Sequence, residues 1–312
     1  MRLIQYHLPG RGDRVGLVQG GAVVDITAPR DGLTSTVAWL QAAGGSAARL
    51  RRLAAPFLRR KSGAGPSEQA LDVAPAPRRP HLRIPIDPPE VWGAGITYRR
   101  SADFRDQDAK TSMYDYVYTS ARPELFFKAT AARCVGPNGP VIVRSDSVLT
   151  AAEPELALVL GPRGVLAGFT ACNDVSAWDL ERENALFLPQ SKIFAGCCAL
   201  GPAVVTPDEI ADPYALDISC RMLRAGSVLW EGRTNTRDFK RRFEDLVAYL
   251  LKDNMIPTGT VLATGTGIMV PNEHCLRPGD AVEITVAGIG TLRNPVAAAG
   301  GVRQGRTAKS GT

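Results

Sequence analysis

Apolar and polar positions along most of this chain change over in short runs, not in long helical stripes. Runs such as "PVIVR" (140 to 144), "PELALVL" (154 to 160), "VLAGFTACNDV" (165 to 175), "AVVT" (203 to 206), "ALDISCRML" (215 to 223) and "AVEITVAGIGTLRNPV" (281 to 296) are bounded by Gly and Pro. This spacing predicts a mostly β fold of the α+β class with antiparallel or mixed sheets, and speaks against a doubly wound parallel sheet. A helical period emerges late, in "TNTRDFKRRFEDLVAYLLKDN" (234 to 254). There Phe239, Phe243, Leu246, Val247, Leu250 and Leu251 share one face, and Thr236 is placed to cap the start. The segment 98 to 120, "YRRSADFRDQDAKTSMYDYVYTS", is polar and helical in parts, as segments that cover a site often are.

Residues 1 to 80 read as a separate small α/β unit. Short strands ("RLIQYH", "VGLVQGGAVVDI") precede helical patterns around 34 to 43 and 47 to 60, and a stretch rich in Gly, Pro and Ala (61 to 80) marks the boundary. The larger unit then spans 81 to 297, and 298 to 312 is expected to form a disordered tail.

Composition narrows the class. With 312 residues, 45% hydrophobic and 22% charged, burying a core is no difficulty. The net charge of +6 comes partly from "ARLRRLAAPFLRRK" and partly from the tail. These arginines are not interleaved with stacking aromatics, so a solvated basic face is expected and no nucleic-acid partner. No run approaches about 18 uncharged apolar residues, and "MRLIQYHLPG" lacks a signal-peptide core, so the reading is cytoplasmic, with no membrane partner. Six cysteines without C-x-x-C spacing point to reduced thiols, not to a zinc ribbon or a disulfide framework.

Within this frame, "AAEPELALVL" (151 to 160) sets two acids at the mouth of an apolar run. Side chains alternate along a strand, so Glu153 and Glu155 share a face roughly 7 Å apart. Asp174, at the end of another apolar run, is a third acid in similar surroundings. Buried carboxylates need compensation: a hard divalent cation is one candidate, and arginines on a sheet edge are the other. Lys128 ("ELFFKAT") and Lys192 ("LPQSKIFAGC") are each flanked by apolar residues, which fits either a desolvated acid–base group or a snorkelling side chain. The glycines of "LATGTGIMVP" lack the Lys-Ser/Thr of a phosphate loop; a pocket-lining turn offering Thr264 or Thr266 as donors is more economical. Only His7, His81 and His274 exist, which leaves little for histidine-based chemistry.

Taken in order, "EPELALVLG", "GFTACNDVSAWD", "SKIFAGCCALGPAVVTPDEI", "TGT" and "LRPGDAVEITVAGIGTLRNPV" resemble the fumarylacetoacetate hydrolase superfamily over roughly 84 to 296. The resemblance implies a rolled, barrel-like β-sandwich, usually assembled as a homodimer or homotetramer. It further implies that Glu153, Glu155 and Asp174 bind Mg²⁺, with Mn²⁺ or Ca²⁺ as substitutes, that Lys192 points at the substrate, and that Thr266 holds a substrate carboxylate. Gly265, Tyr98, Phe126 and Lys128 complete the implied substrate side.

Narrower matches in "IDPPEVWGAGITY", "ARPELFFKATAARCVG", "RSDS" and "LPQSKIFAGCCALGP" are similar to the family's 2-keto-3-deoxy-D-arabinonate dehydratases. Hydrolase members carry G-x-N-Y-x-x-H, and here Ser101 stands where that histidine would be. This implies a dehydratase of a 2-oxo acid using Glu124 and Lys192. An acylpyruvate hydrolase, an oxaloacetate decarboxylase or tautomerase, and a non-catalytic 2-oxo acid binding protein are the alternatives. Trp178 departs from the family, whose members usually place arginine there.

Overall fold

In the computed structural model, residues 1–59 and 65–300 are described. The described residues fold mostly as β-structure in two large sheets packed on a shared core, with a two-stranded ribbon (Thr150–Ala151 with Ser176–Ala177) and helices around them. The larger sheet runs, in spatial order, through Ala22–Asp25, Gly12–Gln19, Arg2–Leu8, Cys198–Val205, Leu166–Asp174, Pro154–Leu160, Val261–Ala263, Val91–Gly95 and Glu124–Ala129, with two short strands pairing beside this path. The smaller one runs through Ser227–Asn235, Asp217–Arg224, Ala281–Val286, Gly290–Ala298 and Val141–Val143. Both orders are open, and both sheets mix parallel with antiparallel pairs.

The strand Pro154–Leu160 shows why the layers form. All seven residues are buried, and their alternation feeds two cores. Leu156, Leu158 and Leu160 face the smaller sheet with Ile218, Met222 and Ile284, whereas Ala157 and Val159 pack with Trp39, Leu40 and Leu50. The latter come from the helices Thr36–Ala42 and Ala47–Arg59, the first capped by Ser35, whose side chain accepts from the Ala38 N–H. Each such fully buried leucine contributes about 1.5–3 kcal/mol. Pro154 opens its strand, a position where its missing N–H costs no ladder bond.

The N-terminal strands continue the large sheet, because Arg2 and Leu3 pair with Val205 and Val204. All six cysteines are unpaired. No described helix is long and apolar enough to cross a membrane. The tail expected from 298 lies, from residue 301 on, outside the described residues.

The late helix differs from its expected span. It runs only over Phe243–Leu251, preceded by a short 3-10 turn at Thr236–Asp238. Phe239 instead bridges to Tyr98, and the Lys240 N–H donates to the Thr97 carbonyl, which holds that stretch extended. Thr236 caps nothing: its hydroxyl donates to the Pro213 carbonyl and accepts from the Leu216 N–H. The polar 98 to 120 segment forms two helices, Arg99–Ala109 and Met113–Thr119.

Candidate active site

The antiparallel pairing of Pro154–Leu160 with Leu166–Asp174 brings three acids together. Pro154 lies opposite Asn173 and Glu155 opposite Cys172, and the Asp174 N–H donates to the Glu153 carbonyl. Glu153, Glu155 and Asp174 therefore leave the end of the sheet on one face. One carboxylate oxygen from each lies within 4.8 Å of the others, and all three residues are buried.

Their partners are cations, the Trp178 indole N–H and one backbone N–H. The Lys192 ammonium donates to Glu153 Oε1 and Oε2 at 3.0 and 3.1 Å, to Asp174 Oδ2 at 2.9 Å and to Ser176 Oγ at 2.8 Å. Lys128 pairs with Asp174 Oδ1 at 2.5 Å and donates to the carbonyls of Val175 and Lys192. Glu155 accepts from the Gly265 N–H at 2.6 Å. Gly265 has φ of 93°, and a Cβ there would fall 2.1 Å from Thr97 Oγ1, so this turn requires glycine.

These surroundings split the acids. Burial opposes ionisation of Glu153, but Lys192 and Arg105 overcome it and hold that carboxyl at about 2. Glu155 goes the other way, pushed well up by burial and then by Asp174 and Glu153. The Lys192 ammonium is held charged, its burial outweighed by Asp174 and Glu153. Glu124 is raised, first by burial and then by Glu181.

A cavity of ≈ 20 Å³ joins the acids to the rest of the site. Gly95, Ser101, Arg105, Glu124, Phe126 and Glu181 are among its walls, with Lys192, Gly265 and Thr266. Ser101 and Arg105 belong to the helix Arg99–Ala109, so this segment roofs the site. The Lys192 ammonium lies 5.0 Å from the Phe126 ring centroid. A roomier hollow of ≈ 630 Å³ lies elsewhere, beside the N-terminal strands. Among the described residues its single basic wall residue, Arg2, is paired with Glu68.

Two residues expected beside the substrate, Lys128 and Tyr98, are not among the walls of this cavity. The Lys128 ammonium donates to two carbonyls and forms an ion pair with Asp174 Oδ1 from behind, where the residue is wholly buried. Tyr98 packs edge-on against Phe239, ring centroids 4.6 Å apart. Conversely, Arg105 and Glu181 were not singled out in the sequence. Arg105 donates to Glu181 Oε1 at 2.8 Å and to Glu153 Oε1 at 3.0 Å. Arg105 Nε and Glu181 Oε2 are buried without a hydrogen-bond partner. Glu181 lies one helical turn beyond Trp178 in "WDLERE", a spacing that could have flagged it.

The donor set fits a divalent cation. Five carboxyl groups line the cavity (Glu124, Glu153, Glu155, Asp174, Glu181), against three cations, Arg105, Lys192 and the Lys128 behind them. The acids outnumber the cations, and the three clustered ligands offer only hard oxygens, which suits a hard divalent cation.

A close glycine tests the placement of Glu124. A Cβ on Gly95 would fall 2.0 Å from Glu124 Oε2, the movable end of a side chain. Gly95→Ala should keep the fold, push Glu124 aside and cut kcat by about 100-fold. Steady-state rates together with a thermal melt check it.

These features define the class: the chain belongs to the fumarylacetoacetate hydrolase family, whose model, fumarylacetoacetate (FAA) hydrolase C-terminal, matches residues 90–297. Among individual relatives, it is 52% identical over 217 residues to the 2-dehydro-3-deoxy-D-arabinonate dehydratase of Saccharolobus solfataricus, covering 68% of this chain and 73% of that protein. It is 43% identical over 217 residues to a probable 2-keto-3-deoxyxylonate dehydratase of Haloferax volcanii, covering 69% of this chain and 75% of that protein. A solved 2-keto-3-deoxy-D-arabinonate dehydratase complexed with magnesium and 2,5-dioxopentanoate superposes with a TM-score of 0.80 at 38% identity, over 96% of this chain and 99% of that one.

Proposed function

We propose that this protein is a Mg²⁺-dependent hydro-lyase that converts 2-keto-3-deoxy-D-arabinonate to 2,5-dioxopentanoate. The observation that carries this reading is the convergence of three buried acids with Glu124 and Lys192 on one small cavity that has no histidine wall. The resemblance to dehydratases of this substrate class supports it.

Glu153, Glu155 and Asp174 would hold the cation, which when bound supplies Lewis-acid polarisation of the C2 ketone and so acidifies the C3 proton. Thr266, a wall residue next in sequence to the Gly265 that binds Glu155, takes the substrate carboxylate. Glu124 and Lys192 divide the two proton transfers: one removes the C3 proton, and the other protonates the C4 hydroxyl, which leaves as water. Tautomerisation then delivers the C5 aldehyde with the carbon chain intact. Burial fits Glu124 to exchange a proton at higher pH than an ordinary carboxylate. Phe126 shields the ammonium of Lys192, and Arg105 with Glu181 suits the hydroxyl-bearing end of the sugar acid.

Every wall residue of the cavity falls within 94 to 266, which supports a catalytic unit of 81–297 and an N-terminal unit of 1–80 that extends its sheet. A cytoplasmic homodimer or homotetramer is the setting the family resemblance supports. Incubation with Mg²⁺ and a panel of 2-keto-3-deoxy acids and acylpyruvates tests the reaction. The expected product is lighter than its substrate by one water; shorter carbon fragments would assign C–C cleavage instead.

A further inference from the structure

Glu153 is held unevenly. Its Oε1 accepts three N–H donors: the Trp178 indole at 2.6 Å, Arg105 at 3.0 Å and Lys192 at 3.0 Å. Among the described residues, its Oε2 accepts from Lys192 alone, at 3.1 Å. The Lys192 ammonium straddles both oxygens, so Trp178 and Arg105 are the two donors committed to Oε1; together they fill its about two lone-pair directions, losing either opens one, and Oε2 has room.

The indole is itself fixed. Trp178 is 2% exposed, and its backbone N–H donates to the Leu149 carbonyl. The Arg105 and Arg182 guanidiniums lie 5.3 and 5.7 Å from its ring, and Phe104 packs against it at 5.9 Å. The short N–H···O contact therefore comes from a side chain with little freedom to turn away.

We propose that Trp178 is a positioning residue that commits Glu153 to a cation through Oε2 alone, and that this one-oxygen presentation favours Mg²⁺ over Ca²⁺. Mg²⁺ demands six close ligands in near-ideal octahedral geometry, which single carboxylate oxygens and waters provide. Ca²⁺ takes six to eight ligands at longer distance and readily accepts both oxygens of one carboxylate. Occupying Oε1 withholds the second oxygen. The inference rests on the metal site proposed above.

The test is calorimetric titration of the full chain with Mg²⁺ and, separately, Ca²⁺, for the wild type and Trp178→Phe. A second variant carries the benzothienyl isostere at position 178, which keeps the ring and removes only the N–H, and so serves where the phenylalanine packs poorly. Expected is a loss of Mg²⁺ affinity of about 10- to 100-fold, with Ca²⁺ weakened less, so that the ratio of the two affinities moves toward Ca²⁺. Equal weakening of both cations, or no change in either, overturns the role of Trp178 while leaving the metal site standing. A wild type that binds neither cation overturns both.

Discussion

Lys192→Ala is expected to lower kcat by about 100- to 10,000-fold, the range of a lost proton-transfer group, while Mg²⁺ still binds. The ammonium touches both Glu153 and Asp174, so its removal takes away a positive charge from the very oxygens a cation would use. Two charged partners of those acids survive the change: Arg105 on Glu153 and Lys128 on Asp174. Cation binding should therefore persist or tighten, and the apo protein should lose some stability that Mg²⁺ restores. Single-turnover product formation and a calorimetric Mg²⁺ titration separate the two effects. Full activity in the variant would remove Lys192 from the mechanism.

Asp174→Asn should be the costliest single change to stability at the site. Asp174 is 1% exposed and touches both lysine ammoniums, at 2.5 and 2.9 Å. The amide keeps the shape but leaves two buried cations short of an anion, a loss of about 3–5 kcal/mol for a broken buried pair. Urea unfolding in the presence of a chelator measures this, and a Mg²⁺ titration of the same variant should show no saturable binding at the triad. An unchanged urea midpoint would mean that Glu153 alone compensates both lysines.

The pairing of Glu153 with Glu155 was legible because strand geometry is regular and a period of two places them on one face. Asp174 was legible only as a third acid in an apolar run, joined to them by the family resemblance, because the strand pairing that brings it to the same sheet end is not written in local periodicity. The mostly β architecture was legible because its runs are short and punctuated. The roof was not. Arg105 is one of several charged residues in the helix Arg99–Ala109, and nothing in "SADFRDQDA" marks it as the one that turns inward to Glu153. Lys128 and Lys192 look alike in sequence, both set among apolar residues. Only the fold shows that Lys192 borders the cavity while Lys128 is spent on two carbonyls and Asp174 behind it. The start of the late helix was misjudged because the apolar period continued through Phe239, whose place is set by a backbone bridge to Tyr98 and not by helical packing.

Acids outnumber cations around the cavity, and burial with Asp174 and Glu153 pushes Glu155 toward its protonated form, so a cation and a proton compete for the same carboxylates. Uptake of a cation at the triad should therefore release a proton, and binding should weaken as pH falls. Proton release on titration, read as a dependence of the binding heat on the buffer, measures this competition.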